Sequence, residues 1–282
     1  MRTCICYAPK VKEINSGVKR QVPLLKARDM AMVASLGKGL AVVECFDQVR
    51  PRLSIAEVAK LTGLERATAR RFLLTLNKLG YADYDGKFFS LTPRVLRLGY
   101  AYLASIPLPA NLQRVLEPLS AELDESVSAS TLDGSEIVYV ARASHRRVMS
   151  ISLAVGSRLP AYCSSMGRVL MAALPPAEAR QRLQAAARKK ITPQTITGLE
   201  ALITELVRVR EQGYAIIDQE LEAGLISIAV PVTDMGGAVV AAINCGTHTS
   251  RLTITALRKM VLPKLLAAQA ELRVVLMASG RM

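Results

Sequence analysis

The stretch SIAEVAKLTGLERATARRFLLTLNKLGYADYDGKFFSL, residues 54–91, decides the fold of the N-terminal third. Ser54 and Glu57 stand three apart ahead of an apolar run. In that spacing a serine hydroxyl accepts the N3 amide while the glutamate returns to the cap amide, so a short helix starts there. Its Ile55, Val58, Ala59 and Leu61 face inward, and Thr62, Gly63 and Leu64 make a tight turn at which glycine accepts a positive φ. The next helix covers residues 65–79. At about 100° per residue, Ala69, Phe72, Leu73, Leu76 and Leu79 gather on one side as core. Arg70, Arg71 and Lys78 fall opposite, with Ala67 between them and Arg66 and Thr68 at the edges. After Gly80, two short aromatic-rich runs flank Asp85-Gly86 and read as a β-hairpin, in which Tyr81 and Phe89 are expected as core, with base-stacking platforms as the alternative.

On the N-terminal side, Leu36, Leu40, Val43 and Phe46 predict one apolar stripe on a helix over residues 35–47, ended by Arg50, Pro51 and Arg52. Three helices and a hairpin make a winged helix-turn-helix over residues 35–92. In that motif the first turns of the third helix enter the major groove, where a guanidinium meets guanine O6 and N7 and a small side chain meets a thymine methyl. Arg66, Thr68, Arg70 and Arg71 are the candidate base-reading residues, and Lys87 on the wing is placed for a phosphate. The plain alternative is a solvated basic face, which the helix-turn-helix context argues against.

Charge follows the same division. The chain carries 37 Lys and Arg against 23 Asp and Glu, a formal charge of +14. Residues 1–34 hold seven cations and two acids, residues 35–104 eleven and six, and the last 178 nineteen and fifteen. Ten of the fourteen excess charges thus lie in the first third, where a polyanion is expected to bind. Residues 1–34 have no sustained apolar period and predict a flexible basic arm. It is either a tail that touches phosphates or a leader that is not made, since Met30 and Met32 precede the first periodic segment.

Beyond the hairpin, Pro93 suits the first turn of a linker helix over residues 93–105, and a further helix follows over residues 110–125, with Pro118 expected to kink it. The pattern then turns to strands at residues 127–133, 136–143, 148–153, 214–218, 225–233 and 238–245. Helices intervene at 164–173, 176–188 and 198–212, the last with a second capping pair in Thr197 and Glu200, and a final helix covers 253–279. Hairpins interleaved with helices predict an α+β domain, residues 106–282, with a largely antiparallel sheet.

At 282 residues, two domains are expected. No apolar run reaches the roughly 18 residues of a membrane span, and the first residues lack a secretory apolar segment, so a cytoplasmic protein without a membrane partner is expected. Cys4, Cys6, Cys45, Cys163 and Cys245 form neither a disulfide framework nor a zinc spacing. No metal or other cofactor is expected. An enzyme would need Cys163 or Ser165 as nucleophile, but His145 and His248 lie in no catalytic motif. Gly37 and Gly39 likewise lack the spacing and the preceding strand of a dinucleotide loop.

Several residues carry a family resemblance. They are Thr62-Gly63-Leu64 and Arg71 in the first domain, then Asp133-Gly134, residues 139–142, Gly156, residues 159–162 and residues 167–170. Residues 35–282 resemble the IclR family of bacterial regulators, which pair a winged helix with a GAF-like effector domain. Residues 158–168 look like the branch that responds to protocatechuate and p-hydroxybenzoate. The resemblance implies an effector pocket lined by Ser165 and Met166, by Asp218 and Ser227, and by Asn244 and Gly246, where several family members carry serine. Helix N-terminal amides favour a carboxylate. Arg142 and Arg158 are candidate cations for it, each with the alternative of satisfying an acid in the fold. Tyr162 offers a wall or plain packing, and Cys163 and Cys245 read as small buried hydrophobes.

The expected protein is a homodimeric or tetrameric, sequence-specific transcriptional regulator of an aromatic-catabolism operon. Its partners would be double-stranded operator DNA, a small organic acid and, for an activator, RNA polymerase. A short 2-oxo acid as effector, or a charge-driven non-specific nucleic-acid binder, are the alternatives.

Overall fold

The computed structural model describes residues 33–279 apart from 48, 106–107, 145–152 and 235. Most of the N-terminal arm, the strand expected at 148–153 except Leu153, and His145, Cys4 and Cys6 lie outside the described residues. The chain divides into two compact units, one ending at Tyr102 and the other starting at Leu103.

The first unit runs α1 (Ala34–Val43), β1 (Arg52–Leu53), α2 (Ile55–Thr62), α3 (Arg66–Lys78), β2 (Ala82–Tyr84) and β3 (Phe89–Leu91). The capping box forms at Ser54 and Glu57, and Gly63 ends α2 at a φ of 71°. Val42, Leu53, Val58, Ala69, Leu73 and Phe89 make the core. One prediction fails in α1: Leu36 and Leu40 are 65% and 48% exposed, while Ala41, Val42 and Cys45 are buried. The small-residue face wins because it permits close approach: the Cβ position of Gly39 lies 3.6 Å from the Phe72 ring. Leu79, also expected in the core, is exposed as the C-cap of α3. The wing gains a strand that periodicity did not reveal, because β1 is only two residues long. It pairs Arg52 with Ser90 and Leu53 with Phe89, giving a three-stranded antiparallel sheet in the order β1-β3-β2.

A 3-10 turn, Pro93–Val95, leads into α4 (Leu96–Ser105), which spans the unit boundary. The second unit contains α5 (Leu108–Leu123), β4 (Ser126–Asp133), β5 (Glu136–Ala143), β6 (Arg158–Pro160), α6 (Ser165–Ala172), α7 (Pro176–Ala185) and α8 (Leu199–Gln212). It continues with β7 (Ala215–Asp218), β8 (Leu225–Thr233), β9 (Val239–His248), α9 (Ile254–Ala256) and α10 (Leu262–Ser279). Six strands form one antiparallel sheet, β6-β5-β4-β9-β8-β7. Each face is buried under helices. Leu112, Leu116, Leu265 and Leu272 of α5 and α10 pack on Val127, Ile243 and Val230. On the other face, Met166, Val169, Leu202 and Leu206 of α6 and α8 pack with Tyr139, Ala229 and Ala242.

The second capping pair does not form: Gly198 is the N-cap of α8, without a side-chain bond. Glu200 is instead taken by Arg180, whose two Nη atoms reach its carboxylate at 2.6 and 2.8 Å, a bidentate pair that outcompetes a single amide. α5 passes through Pro118 as one element. The final helix carries a π segment, Leu257–Val261, that ends two residues before Pro263, which has no N–H to close an α-turn. Among the described residues no helix is long and apolar enough to cross a membrane.

Candidate functional site

In the first unit, α3 buries Ala69 and Leu73 and leaves Arg66, Arg70 and Arg71 exposed, with Thr68 half-buried. None of the three arginines forms an ion pair among the described residues, so their charges are not spent inside the fold. Glu65 caps α3 by backbone alone, which leaves its first amides free for an acceptor. The wing turn is set by Asp85, whose Oδ1 accepts the Lys87 and Phe88 amides at 3.0 and 2.7 Å, and by Gly86 at a φ of 98°. Lys87 is exposed, and its ammonium lies 5.1 Å from the Phe88 ring centre. Arg52, which periodicity marks only as a helix end, lies 5.4 Å from the same ring and pairs with Asp85. Tyr84 stacks on the buried Phe89 at 4.3 Å, so Phe89 is hairpin core as expected.

In the second unit, the α6 face of the sheet holds a small, partly open cavity whose mixed apolar and polar lining is of the kind that orients a small molecule. The strand register builds its floor. Arg142, Ser128, Asn244 and Ala229 pair successively across β5, β4, β9 and β8, and Ser126, Gly246 and Ser227 pair in the next row. The register shifts at Ala129/Ser130, leaving Val140 without an opposite residue. That bulge turns Tyr139 and Arg142, three apart, to the same cavity. Leu153, Leu159, Ile217, Leu221 and Leu225 supply apolar walls.

The Arg142 guanidinium donates from Nη1 to Ser128 Oγ at 2.7 Å and from Nε to Ser144 Oγ at 3.0 Å. No carboxylate pairs with it among the described residues. Burial lowers its pKa from the ordinary arginine value, yet a guanidinium stays protonated. The result is a half-buried cation facing a cavity, with neutral partners among the described residues. Opposite, Ser164 caps α6 by accepting the Gly167 amide at 3.3 Å, leaving the Ser165 and Met166 amides without intrahelical partners. Ser227 Oγ bonds Ser165 Oγ at 2.9 Å. The Tyr139 hydroxyl makes no hydrogen bond among the described residues, and burial pushes its pKa up to about 12, so it remains a neutral donor. Burial likewise pushes Cys163 up to about 12, which leaves no thiolate for nucleophilic chemistry.

The predicted site residues divide accordingly. Ser165, Met166, Ser227, Asn244, Gly246 and Arg142 come together around this cavity. Asp218 and Arg158 do not. Asp218 is exposed at the end of β7, beside Gln219 Nε2 at 3.1 Å. Arg158 is held by Glu136 and Asp133, both at 2.7 Å, and so satisfies acids of the fold. Tyr162 is packing, with its hydroxyl donated to the Lys189 carbonyl at 2.6 Å. Cys245 belongs to the core on the opposite face. Sequence reasoning missed Ser126, Ser128 and Tyr139. The available signal was the alternation of Ser126, Ser128 and Ser130 in a strand otherwise apolar up to Ala129, which marks a buried polar face.

Two sequence families match. One, described as "Bacterial transcriptional regulator IclR C-terminal", covers residues 100–273, and the other, "IclR helix-turn-helix domain", covers residues 35–86. The Pca regulon regulatory protein of Pseudomonas putida is 46% identical over 245 residues, covering 86% of this chain and 84% of that protein. The p-hydroxybenzoate hydroxylase transcriptional activator of Acinetobacter baylyi is 40% identical, covering 86% and 91%. A crystal structure of the inducer-binding domain of the Acinetobacter transcription factor PobR, a double mutant in complex with 3-hydroxybenzoic acid, is 35% identical. It superposes with a TM-score of 0.56, covering 59% of this chain and 97% of that one. The chain belongs to the IclR family, whose members are bacterial transcriptional regulators and not enzymes.

Proposed function

We propose that this regulator senses an aromatic carboxylic acid of the hydroxybenzoate class and controls an aromatic-catabolism operon. The observation that carries the reading is Arg142, a half-buried guanidinium whose partners among the described residues are neutral, on the floor of an aliphatic-walled cavity that also presents the Tyr139 hydroxyl. A carboxylate answers the charge, the leucines take the faces of a ring, and Tyr139, Asn244 and the Ser165–Ser227 pair meet ring hydroxyls. Ser165, Met166, Ser227, Asn244, Gly246 and Arg142 are the effector-binding residues of this reading. The names of the two relatives, both tied to aromatic-acid catabolism, support it.

Arg66, Thr68, Arg70 and Arg71 read bases and Lys87 meets a phosphate, with residues 35–92 as the DNA-binding domain, 93–105 as linker and 106–282 as effector and oligomerisation domain. The active species is a cytoplasmic homodimer or a tetramer that sets two recognition helices in successive grooves of a near-palindromic site. Leu36 and Leu40 on α1 and Leu96 and Tyr100 on α4, one helical turn apart within each pair and all exposed, are apolar faces that self-association would cover. An activator would also contact RNA polymerase.

Calorimetry of the full chain against protocatechuate, p-hydroxybenzoate and short 2-oxo acids tests the effector class. Saturable binding of a hydroxybenzoate is expected. Binding of a 2-oxo acid alone would replace the aromatic reading.

A further inference from the structure

We propose that Gln113 on α5 is the positioning residue through which occupancy at Arg142 reaches α5 and hence the chain that leads back to α4. The inference rests on the reading of Arg142 as the effector's carboxylate anchor. Arg142 is gripped twice. Its guanidinium bonds Ser128 and Ser144. Its main chain is held by one side chain: Gln113 Oε1 accepts the Arg142 N–H at 3.0 Å, and Gln113 Nε2 donates to the Arg142 carbonyl at 3.3 Å.

A glutamine amide therefore stands where a neighbouring strand would. β6 pairs only with Glu136–Val138, and the Tyr139 N–H and carbonyl go to Ser157 and Gly156. At Arg142 the ladder on that edge is replaced by α5. The same Nε2 donates to Glu117 Oε1 at 2.9 Å, one helical turn along, so the Gln113 amide is oriented from within α5. Ser120 Oγ of α5 also reaches the Ala143 carbonyl, at 3.3 Å.

The plain alternative is that Gln113 only satisfies two strand-edge groups, as buried or half-buried backbone requires. Two features favour coupling. The residue so held is the one whose side chain faces the cavity with no carboxylate partner among the described residues, so an arriving carboxylate draws on it directly. The holding group is a rotatable side chain, which can give up or tighten both bonds together, as a strand ladder cannot. α5 begins at Leu108, three residues after α4 ends at Ser105, so it is the next helix along the chain from the one that spans the unit boundary.

The test uses the full chain and a duplex selected by the purified protein from random-sequence DNA. Affinity for that duplex is measured with and without p-hydroxybenzoate, and affinity for p-hydroxybenzoate with and without the duplex, in the parent, Gln113→Ala and Gln113→Glu. Gln113→Ala is expected to bind each ligand alone within about threefold of the parent while the effect of either ligand on the other falls to nearly none. Gln113→Glu keeps the acceptor but sets a carboxylate oxygen against the Arg142 carbonyl, and should abolish coupling likewise. An undiminished mutual effect in either variant overturns the proposal. So does weaker p-hydroxybenzoate binding with the mutual effect unchanged. A parent that binds no hydroxybenzoate overturns the effector reading instead, and Gln113's role with it.

Discussion

Arg142 and Arg158 carry the same charge and both read as anchors for a carboxylate, yet the fold gives them opposite fates. Arg158 meets Glu136 and Asp133 because β6 pairs with the start of β5, which sets an arginine beside two acids of the β4–β5 hairpin. Among the described residues the Arg142 guanidinium meets hydroxyls, those of Ser128 and Ser144, because its row across β4 and β9 consists of the uncharged Ser128 and Asn244. Arg142→Ala should therefore weaken hydroxybenzoate binding by about 1.5–3 kcal/mol, the worth of hydrogen bonds to a charged group, or roughly 10- to 150-fold. Calorimetry reads this directly, and an unchanged affinity would remove Arg142 from the site. Affinity should also be flat between about pH 6 and 8. Tyr139 and Cys163 are both pushed up to about 12 and stay protonated throughout, and Arg142 stays charged. A titration within that window would point to a lining group other than these.

At the scale of elements, α6 shows what close packing demands. A Cβ on Gly167 would lie 2.3 Å from both the Cα and the carbonyl oxygen of Ala161, backbone that has no room to yield. Gly167→Ala should cost about 1–3 kcal/mol or more and displace Ser165 and Met166 from the cavity, so that melting temperature and effector affinity fall together. A variant with native melting behaviour and native affinity would contradict the geometry. The distance over which a residue acts also decides which features were legible in the sequence. The Ser54 capping box, Gly63 and Asp85-Gly86 act within a few residues, so α2, α3 and the wing hairpin could be read directly. The face of α1 could not, because Gly39 matters only through Phe72, far along the chain. Thr197 failed as a cap because Glu200 was claimed by Arg180 of another helix. In the pocket, six of the residues implied by resemblance or charge came together, whereas Tyr139 and Ser128 needed a bulge and a strand register that no local pattern announces.

For the whole molecule, the two units should answer salt differently, because their ligands differ in charge. The first third carries ten of the fourteen excess positive charges, and α3 and the wing present Arg66, Arg70, Arg71 and Lys87 exposed, none of them in an ion pair among the described residues. A dimer using such a face twice would neutralise about 6–10 phosphates, so duplex affinity should fall on the order of 10³- to 10⁵-fold between about 50 and 200 mM salt. Effector binding involves one carboxylate and one half-buried guanidinium, screened far less, and should change by no more than about threefold over that range. Within the DNA-binding unit, the residues separate by what they touch. Lys87→Ala should weaken selected and random duplexes alike and lower the slope of log affinity against log salt by about 0.9 for each phosphate no longer neutralised. Arg70→Ala should cost about 1–3 kcal/mol on the selected duplex and much less on random DNA, because a guanidinium that reads a base binds more tightly only where that base is present. If Arg70→Ala instead weakened both duplexes equally and lowered the salt slope as Lys87→Ala does, α3 would be holding the backbone, and the reading of bases would have to move elsewhere on the first unit.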